Sequence, residues 1–418
     1  MGSIIEKGRD AVKTHISLED AVKTVKALPA VRQKEGVLLE DALDRFLAED
    51  VFSVIPIPPF DKSPFDGYAC RTEDIPGTLR VSGMIAPGMR ITQEVKRGEA
   101  VRIYTGSPIP AAASVVIKQE DVKAEGDRIT VPFVMAAGNN IIRCGEDVQL
   151  NECLISAGTR LEPAHLGLLA SQGIASVQVW RQPLICILST GDELSEPGNA
   201  CPKYGIYNSS YYALSGYLRK MGCRVRKGGI IPDDADAVKE AVRAALSSEA
   251  DVVITTGGAS VGDYDFARRT ASDLGAEQLF WKVNAKPGGA LMVSQWNHKP
   301  LFGLSGNPAA ALMSLLVVLR PYFADLTGAA ETDEQFCLPL LRDMPKTSSA
   351  TRLLRGHIET RDGELFFAEH NGRGNGNLRS FAGCTAIGVV PGGTPALREG
   401  DFVKVISLTA LAGGAGVW

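Results

Sequence analysis

Glycines and carboxylates crowd the stretch DVVITTGGASVGDYDF, residues 251–266. Its first half reads as a buried strand running into a glycine turn, where free N–H groups can cradle a phosphate. The candidate contacts there are Gly257, Gly258 and Ser260, yet Asp263 and Asp265 follow closely. Two more apolar runs end in acidic loops: STGDEL, with Thr190, Asp192 and Glu193, and IIPDDADAV, with Asp233 and Asp234. Carboxylates repel phosphate, and a divalent cation reconciles the two. Magnesium takes one or two carboxylates together with phosphate oxygens and waters. It also stabilises charge that builds on a phosphoryl leaving group. The candidate metal ligands are Glu193, Asp233, Asp263 and Asp265. Helix N-capping competes for some of these acids, since Asp233 or Asp234, and Asp263, precede helical runs.

Cations and a second helix start complete the chemistry. FWKVNAKPGGALM carries Lys282 and Lys286, four apart in an apolar setting, for which a phosphate or oxyanion is a natural partner. The plainer reading is a pair of solvated lysines at a strand end. LFGLSGNPAAALM places Ser305, Gly306, Asn307 and Pro308 at a strand-to-helix turn, another start suited to an anion.

The elements that must position these residues follow from periodicity. From 183 to 328 apolar strands alternate with amphipathic helices such as SSYYALSGYLRKMG and DADAVKEAVRAALSS. That alternation predicts a doubly wound, mostly parallel sheet, which binds ligands at the carboxyl ends of its strands. Upstream, SLEDAVKTVKALPA predicts a helix capped by Ser17, and LLEDALDRFLAEDV predicts helix and then strand. Short strands and turns to about 144 predict a small all-β insertion, and PAHLGLLASQG at 163–173 returns to helix. After 329, glycine-rich short strands predict a terminal β-barrel or sandwich.

Composition narrows the classes. The chain has 418 residues, room for roughly two to four domains. A net charge of −4 gives no basic patch of the kind nucleic acid demands. The longest apolar run, AAALMSLLVVL at 309–319, falls short of the roughly 18 residues a membrane span needs and reads as a core helix. MGSIIEKGRD lacks the apolar centre of a signal peptide. Eight scattered cysteines without a C-x-x-C pair point to reduced thiols and a cytoplasmic protein, and no zinc pattern is present.

Seven ordered motifs resemble those of one family: SPFDGYACR, RIYTGSPIP, RCGEDV, STGDEL, TTGGASVGDYDF, AKPGGALM and GLSGNPAAAL. Over roughly 15 to 411 the chain resembles MoeA, the molybdopterin molybdotransferase, whose animal relative is the gephyrin E domain. The resemblance implies a multidomain α/β plus β fold. Its parts are a linker domain (15–50 and 145–180), an inserted small β domain (51–144), a doubly wound MogA-like α/β active-site domain (181–328) and a C-terminal β-barrel (329–418). It implies a homodimer with the active site near the subunit interface. A MogA-type adenylyltransferase and molybdoenzyme apoproteins are the implied partners. The implied reaction consumes adenylylated molybdopterin and molybdate with magnesium, releases AMP and places the metal on the dithiolene sulfurs. Asp66, Thr105 and Asp147 are implied site residues reaching across the dimer cleft. Glu193, Asp233 and Asp265 are the implied carboxylates of the main pocket, Lys282 and Lys286 the anion-binding lysines, and Pro308 part of the wall.

The chain departs from the family at four places. Gly289 stands for the second lysine of K-P-G-K-P, Ser305 for the first proline of G-L-P-G-N-P, and Asn375 for a downstream serine. D-S-N after the GDEL loop reads Asn208, Ser209 and Ser210. Losing a lysine removes a cation from an oxyanion site, so restoring it with Gly289→Lys is expected to tighten molybdate binding. The readings are an insertase for molybdate, a paralogue retuned toward tungstate, a non-catalytic molybdopterin-binding or scaffold protein, and a hydrolase of another nucleotide pyrophosphate.

Overall fold

The structure is a computed structural model describing residues 12–91, 94–257, 266–330, 335–370 and 378–408. It divides into two compact units, one from the described parts of Met1–Glu49, Ala157–Leu166 and Ala175–Trp418, the other from Asp50–Ser156 and Gly167–Ile174.

The larger unit is built on a seven-stranded sheet. Across the sheet the order is Lys13–Ile16, Glu277–Val283, Leu291–Trp296, Lys299–Leu304, Val252–Thr256, Leu184–Thr190 and Arg224–Ile231. Four of the six pairings are parallel; Leu291–Trp296 alone runs antiparallel to both of its neighbours. The strands Leu184–Thr190 and Val252–Thr256 are buried almost throughout, as a sheet covered on both faces requires. Helices Ser209–Lys220, Ala235–Leu246 and Phe266–Asp273 follow strands, as the alternation predicts.

The N-terminal helix is Leu18–Lys26, and Ser17 Oγ accepts from the Asp20 N–H at 3.0 Å as its cap. Its Leu18, Ala21 and Val25 are buried in the same apolar core as the sheet. The expected helix over LLEDALDRFLAEDV does not form. Only the 3-10 turn Leu39–Asp41 is helical there. Asp44 takes φ +64°, and the N–H groups of Asp44 and Leu47 donate to Leu161 and Thr159 instead of to a helix. Helical periodicity was present, but the segment's backbone finds partners across the chain.

Pro308–Thr327 is a 20-residue helix, long and apolar enough to cross a membrane, yet 72% of its apolar window is buried inside the protein. Its Tyr322 and Phe323 make edge contacts with Phe302 at 5.8 and 6.1 Å between ring centroids. It is a core helix, as read from the sequence, but longer than the apolar run. Its middle, Ser314–Leu319, is π-helical. Pro321 follows at once; a proline lacks the N–H and crowds the carbonyl four residues back, and a wider turn relieves both.

The C-terminal sheet joins Ala285–Lys286, Thr351–Arg361, Ala386–Val390, Phe402–Ser407 and Gln335–Pro339, with Glu364–Glu369 paired to Thr351–Arg361. A bridge between Leu340 and Phe367 brings its two ends together. Phe367 fills the interior, and a Cβ at Gly356 or Gly388 would come within 2.6 or 2.8 Å of its ring. Those glycines are the space the ring occupies.

The smaller unit holds a six-stranded sheet ordered Val115–Lys118, Gly67–Cys70, Glu99–Ile103, Gly77–Ile85, Arg128–Val131 and Lys123–Glu125. The motifs SPFDGYACR and RIYTGSPIP thus lie on adjacent antiparallel strands, with Gly67 opposite Ile103.

Candidate active site

Three loops meet at the carboxyl ends of adjacent parallel strands in the larger unit. Thr190 ends one strand, and its Oγ1 donates to the Thr256 carbonyl at 3.2 Å. Gly257 continues the neighbouring strand with φ +93°, and its N–H donates to the Leu304 carbonyl at 3.1 Å. A Cβ on Gly257 would stand 2.5 Å from Thr190 Oγ1 and 2.6 Å from the Thr190 carbonyl oxygen, so only glycine fits. Gly306 comes up from the third loop, where its Cβ would meet Gly257 Cα at 3.5 Å. Ser210 Oγ donates to the Gly306 carbonyl at 3.3 Å. Thr190, Gly257 and Gly306 are therefore brought together, and they present backbone rather than side chains.

The helix after Gly306 starts as expected. Asn307 Oδ1 accepts from the N–H groups of Ala309 and Ala310 at 3.0 and 3.2 Å, and Pro308 occupies the first turn. Ser305 Oγ accepts from the Asn307 N–H at 3.2 Å, a local turn bond that a proline could not make. Asn208 caps Ser209–Lys220, its Oδ1 accepting from Tyr211 N–H at 3.3 Å.

Acids line the neighbouring strand ends. The Asp233 N–H donates to Asp192 Oδ1 at 3.2 Å, which ties the loops after Leu184–Thr190 and Arg224–Ile231 together. Asp234 is the helix cap, accepting from Ala237 N–H at 2.8 Å. The two readings left open for this pair thus separate: Asp234 caps, and the Asp233 side chain does not. Glu193 is exposed, with its carboxylate folded back on Gly191, where a Cβ would lie 2.4 Å from Oε2. Gly258, Ser260, Asp263 and Asp265 lie outside the described residues, as does Asn375. Among the described residues no three acidic, histidine or cysteine side chains form a metal cluster. The donor set still fits magnesium, which needs only one or two carboxylates when phosphate oxygens and waters complete its shell. Glu193 and Asp233 are the described residues that would hold it.

The two lysines belong to different sheets. Lys282 is the penultimate residue of the strand Glu277–Val283 in the seven-stranded sheet, with φ +68°, and its Nζ sits 4.0 Å from the Trp281 ring centroid. The Arg268 guanidinium lies 4.8 Å from the same ring. Lys286 has crossed to the C-terminal sheet, where it pairs in parallel register with Arg352. Between Lys286 and the next central strand the chain turns tightly. Ser314 Oγ donates to the Gly288 carbonyl at 2.9 Å. A Cβ on Gly289 would meet the carbonyl oxygens of Ala285 and Val283 at 2.6 and 2.8 Å. The position has no room for a side chain in this backbone, which overturns the expectation that Gly289→Lys would simply restore a cation.

In the smaller unit Asp66 and Thr105 are joined. Asp66 Oδ1 accepts from the Thr105 N–H at 2.8 Å and from Thr105 Oγ1 at 2.9 Å. These bonds, the backbone one foremost, hold the Asp66 carboxyl below its ordinary range, and Arg102 adds to the effect. Gly67 beside it is obligatory, since a Cβ would lie 1.9 Å from the Ile117 carbonyl oxygen. Asp147 is exposed, anchored through its N–H to the Ile57 carbonyl at 2.9 Å. Sequence reasoning missed Asp61. Its carboxylate accepts from Arg143 at 2.6 Å and from Cys144 N–H at 2.8 Å, clamping FDKS onto RCGED. The same contacts lower its pKa, with the Cys144 N–H the largest cause. No spacing rule links residues that far apart in sequence.

A seven-stranded α/β sheet with glycines and acids at its strand ends, in a chain that also carries two six-stranded β-sheets, defines a multidomain α/β plus β class of protein. Three family models cover most of the chain: MoeA N-terminal region (domain I and II) over 16–173, probable molybdopterin binding domain over 186–325, and MoeA C-terminal region (domain IV) over 338–408. The molybdopterin molybdenumtransferase of Bacillus subtilis is 33% identical over 97% of both chains. That of Haemophilus influenzae is 38% identical over 73% of this chain and 76% of its own. A crystal structure of the molybdopterin biosynthesis MoeA protein from Pyrococcus horikosii superposes with TM-score 0.81 at 28% identity, covering 94% of this chain and 98% of its own. The chain belongs to the MoeA family of molybdopterin molybdenumtransferases, transferases of molybdenum cofactor biosynthesis.

Proposed function

We propose that this protein inserts molybdenum from molybdate into adenylylated molybdopterin, with magnesium, and releases AMP. The observation that carries the reading is the meeting of Thr190, Gly257 and Gly306 beside the Asp192–Asp233 contact. The backbone edge suits phosphate and the acids suit its counter-cation. When bound, magnesium would neutralise charge on the phosphoryl group that leaves with AMP. Glu193, Asp233 and Asp265 would orient that group, Lys282 and Lys286 would hold anions, and Asn307 and Pro308 would set the helix start facing them. Asp66, Thr105 and Asp147 would complete the site from a second copy in a homodimer. A MogA-type adenylyltransferase would supply the substrate, and molybdoenzyme apoproteins would take the product. The free state of all eight cysteines supports a reducing compartment such as the cytoplasm.

Tungstate is a second substrate reading, raised by Gly289 standing where the resemblance places a lysine of the oxyanion site. The test is AMP release, followed by chromatography, from adenylylated molybdopterin with magnesium and either oxyanion. AMP with molybdate supports insertion, and AMP with tungstate alone supports the retuned reading. Binding without cleavage under both conditions would overturn the enzyme reading in favour of a scaffold. The variant Asp265→Asn is expected to abolish release while the protein stays folded.

A further inference from the structure

Asn208 is almost wholly buried, bonded both to the strand end at Ser189 and to the first turn of Ser209–Lys220. Its amide can point two ways, and only one of them caps the helix. In that orientation the Tyr211 N–H donates to Oδ1 at 3.3 Å. Ser189 does not choose between the two. Its Oγ lies 3.2 Å from Oδ1 and 3.1 Å from Nδ2, and a hydroxyl both donates and accepts. Glu196 does choose. A carboxylate only accepts, and Asn208 Nδ2 donates to Glu196 Oε1 at 3.4 Å. Exchanging the amide oxygen and nitrogen would set oxygen against oxygen at Glu196 and donor against donor at Tyr211.

Glu196 is itself held as an anion. Lys227 Nζ donates to its Oε2, and the Tyr212 hydroxyl donates to the same oxygen at 3.3 Å. The ammonium lies 5.0 and 5.2 Å from the ring centroids of Tyr211 and Tyr212, so two aromatic faces fix it as well. Burial works to raise the Glu196 carboxyl, yet the bonds from Lys227 and Asn208 hold it below its ordinary range.

The cap reaches the candidate site. Ser189 precedes Thr190, whose hydroxyl meets the Thr256 carbonyl. Ser210, two residues past the cap, donates to the Gly306 carbonyl at 3.3 Å. The start of this helix is thus tied to two of the loops that bring Thr190, Gly257 and Gly306 together.

We propose that Glu196, fixed by Lys227, is a positioning residue: it orients the Asn208 amide as the helix cap and, through Ser210, sets Gly306 at the glycine-backed edge. The inference rests on the transferase reading for what that edge binds. It also accounts for the residue type at 208. The resemblance places an aspartate there, which caps with either oxygen and needs no orienting. In this chain an aspartate would set a second carboxylate where an amide nitrogen now stands 3.4 Å from Glu196, and like charges that close repel.

The experiment compares Glu196→Gln, Asn208→Asp and the double variant in the full chain. Glu196→Gln replaces an acceptor with a group that can also donate, so the orientation is no longer imposed. Hydrogen exchange by mass spectrometry over residues 208–214 reads the cap and needs no turnover. Each single variant is expected to speed exchange about fivefold, as loss of a cap does, with a melting temperature near the parent's. The double variant is expected to return towards the parent, because an aspartate beside a glutamine caps without repulsion. The KM for adenylylated molybdopterin in AMP release should follow the same order, with kcat changed less. A role for Glu196 confined to its ion pair with Lys227 predicts that the double variant is no better than either single one. That outcome, or unchanged exchange in Glu196→Gln, overturns the proposal. Exchange that recovers while KM does not would leave the cap but sink its link to Gly306. Should Asn208→Asp fail to fold, Glu196→Gln against the double variant decides. A parent without AMP release counts against the transferase reading, and the exchange pattern still decides whether Glu196 sets the cap.

Discussion

Thr105 donates both its N–H and its hydroxyl to one oxygen of Asp66, at 2.8 and 2.9 Å, across adjacent strands of the smaller unit. Two residues singled out from separate motifs are one hydrogen-bonded device. Thr105→Val keeps the shape and the backbone bond but removes the hydroxyl. The Asp66 pKa is expected to rise while staying below the ordinary carboxylate range, because the backbone N–H is the larger cause. The direction for stability follows from linkage. A carboxyl depressed in the folded state stabilises the fold above its unfolded pKa, and that contribution is lost as pH falls through the folded value. In Thr105→Val the loss still begins near the unfolded pKa, but it is smaller and is complete at a higher pH. Carbon-detected NMR titration of the Asp66 carboxyl reads both; an unmoved midpoint would show that the hydroxyl bond is not formed in solution.

Gly257→Ala is expected to destabilise the larger unit by roughly 2–4 kcal/mol, combining left-handed backbone strain with overpacking. The added methyl would collide with Thr190 backbone, which cannot swing away. Urea denaturation gives the number. A cost within 0.5 kcal/mol of zero, the range of an ordinary surface change, would mean the strand end is looser than its packing indicates.

Asp233 and Asp234 are adjacent but should behave oppositely. Asp234→Ala removes a cap and is expected to cost about 1 kcal/mol while leaving AMP release near the parent rate. Asp233→Asn should leave the melting temperature unchanged and lower magnesium-dependent AMP release. Paired melting curves and turnover assays separate them, and the reverse pattern would exchange the two assignments.

Gly289→Lys is expected to lower stability by about 1–3 kcal/mol, as an overpacked position does, and not to tighten molybdate binding. Thermal melts and titration of the same preparation settle it. Tighter molybdate binding at unchanged stability would show that the Ala285–Gly289 turn opens at little cost.

Several features were legible because they are local. Ser17 sits where a short polar side chain meets free helix N–H groups and caps as read, and Asn307 lies at the strand-to-helix turn expected of it, where its side chain also caps. The alternation of apolar strands with helices between 183 and 328 gave the α/β sheet, since buried parallel strands cannot alternate polar residues. The same periodicity misled at LLEDALDRFLAEDV, where Thr159 and Leu161 supply the partners that a helix would have.

By itself, then, the sequence determined the class of fold, the glycine turns after strands and the supply of acids and lysines, because these depend on neighbours a few residues away. Tertiary structure decided which aspartate caps and which stays available, and that Asp61 clamps Arg143. It also decided that Gly289 is enclosed by carbonyls and that Lys286 leaves the central sheet to stand beside Arg352. Those outcomes depend on which backbone lies a few ångströms away in space, and no spacing along the chain encodes that distance.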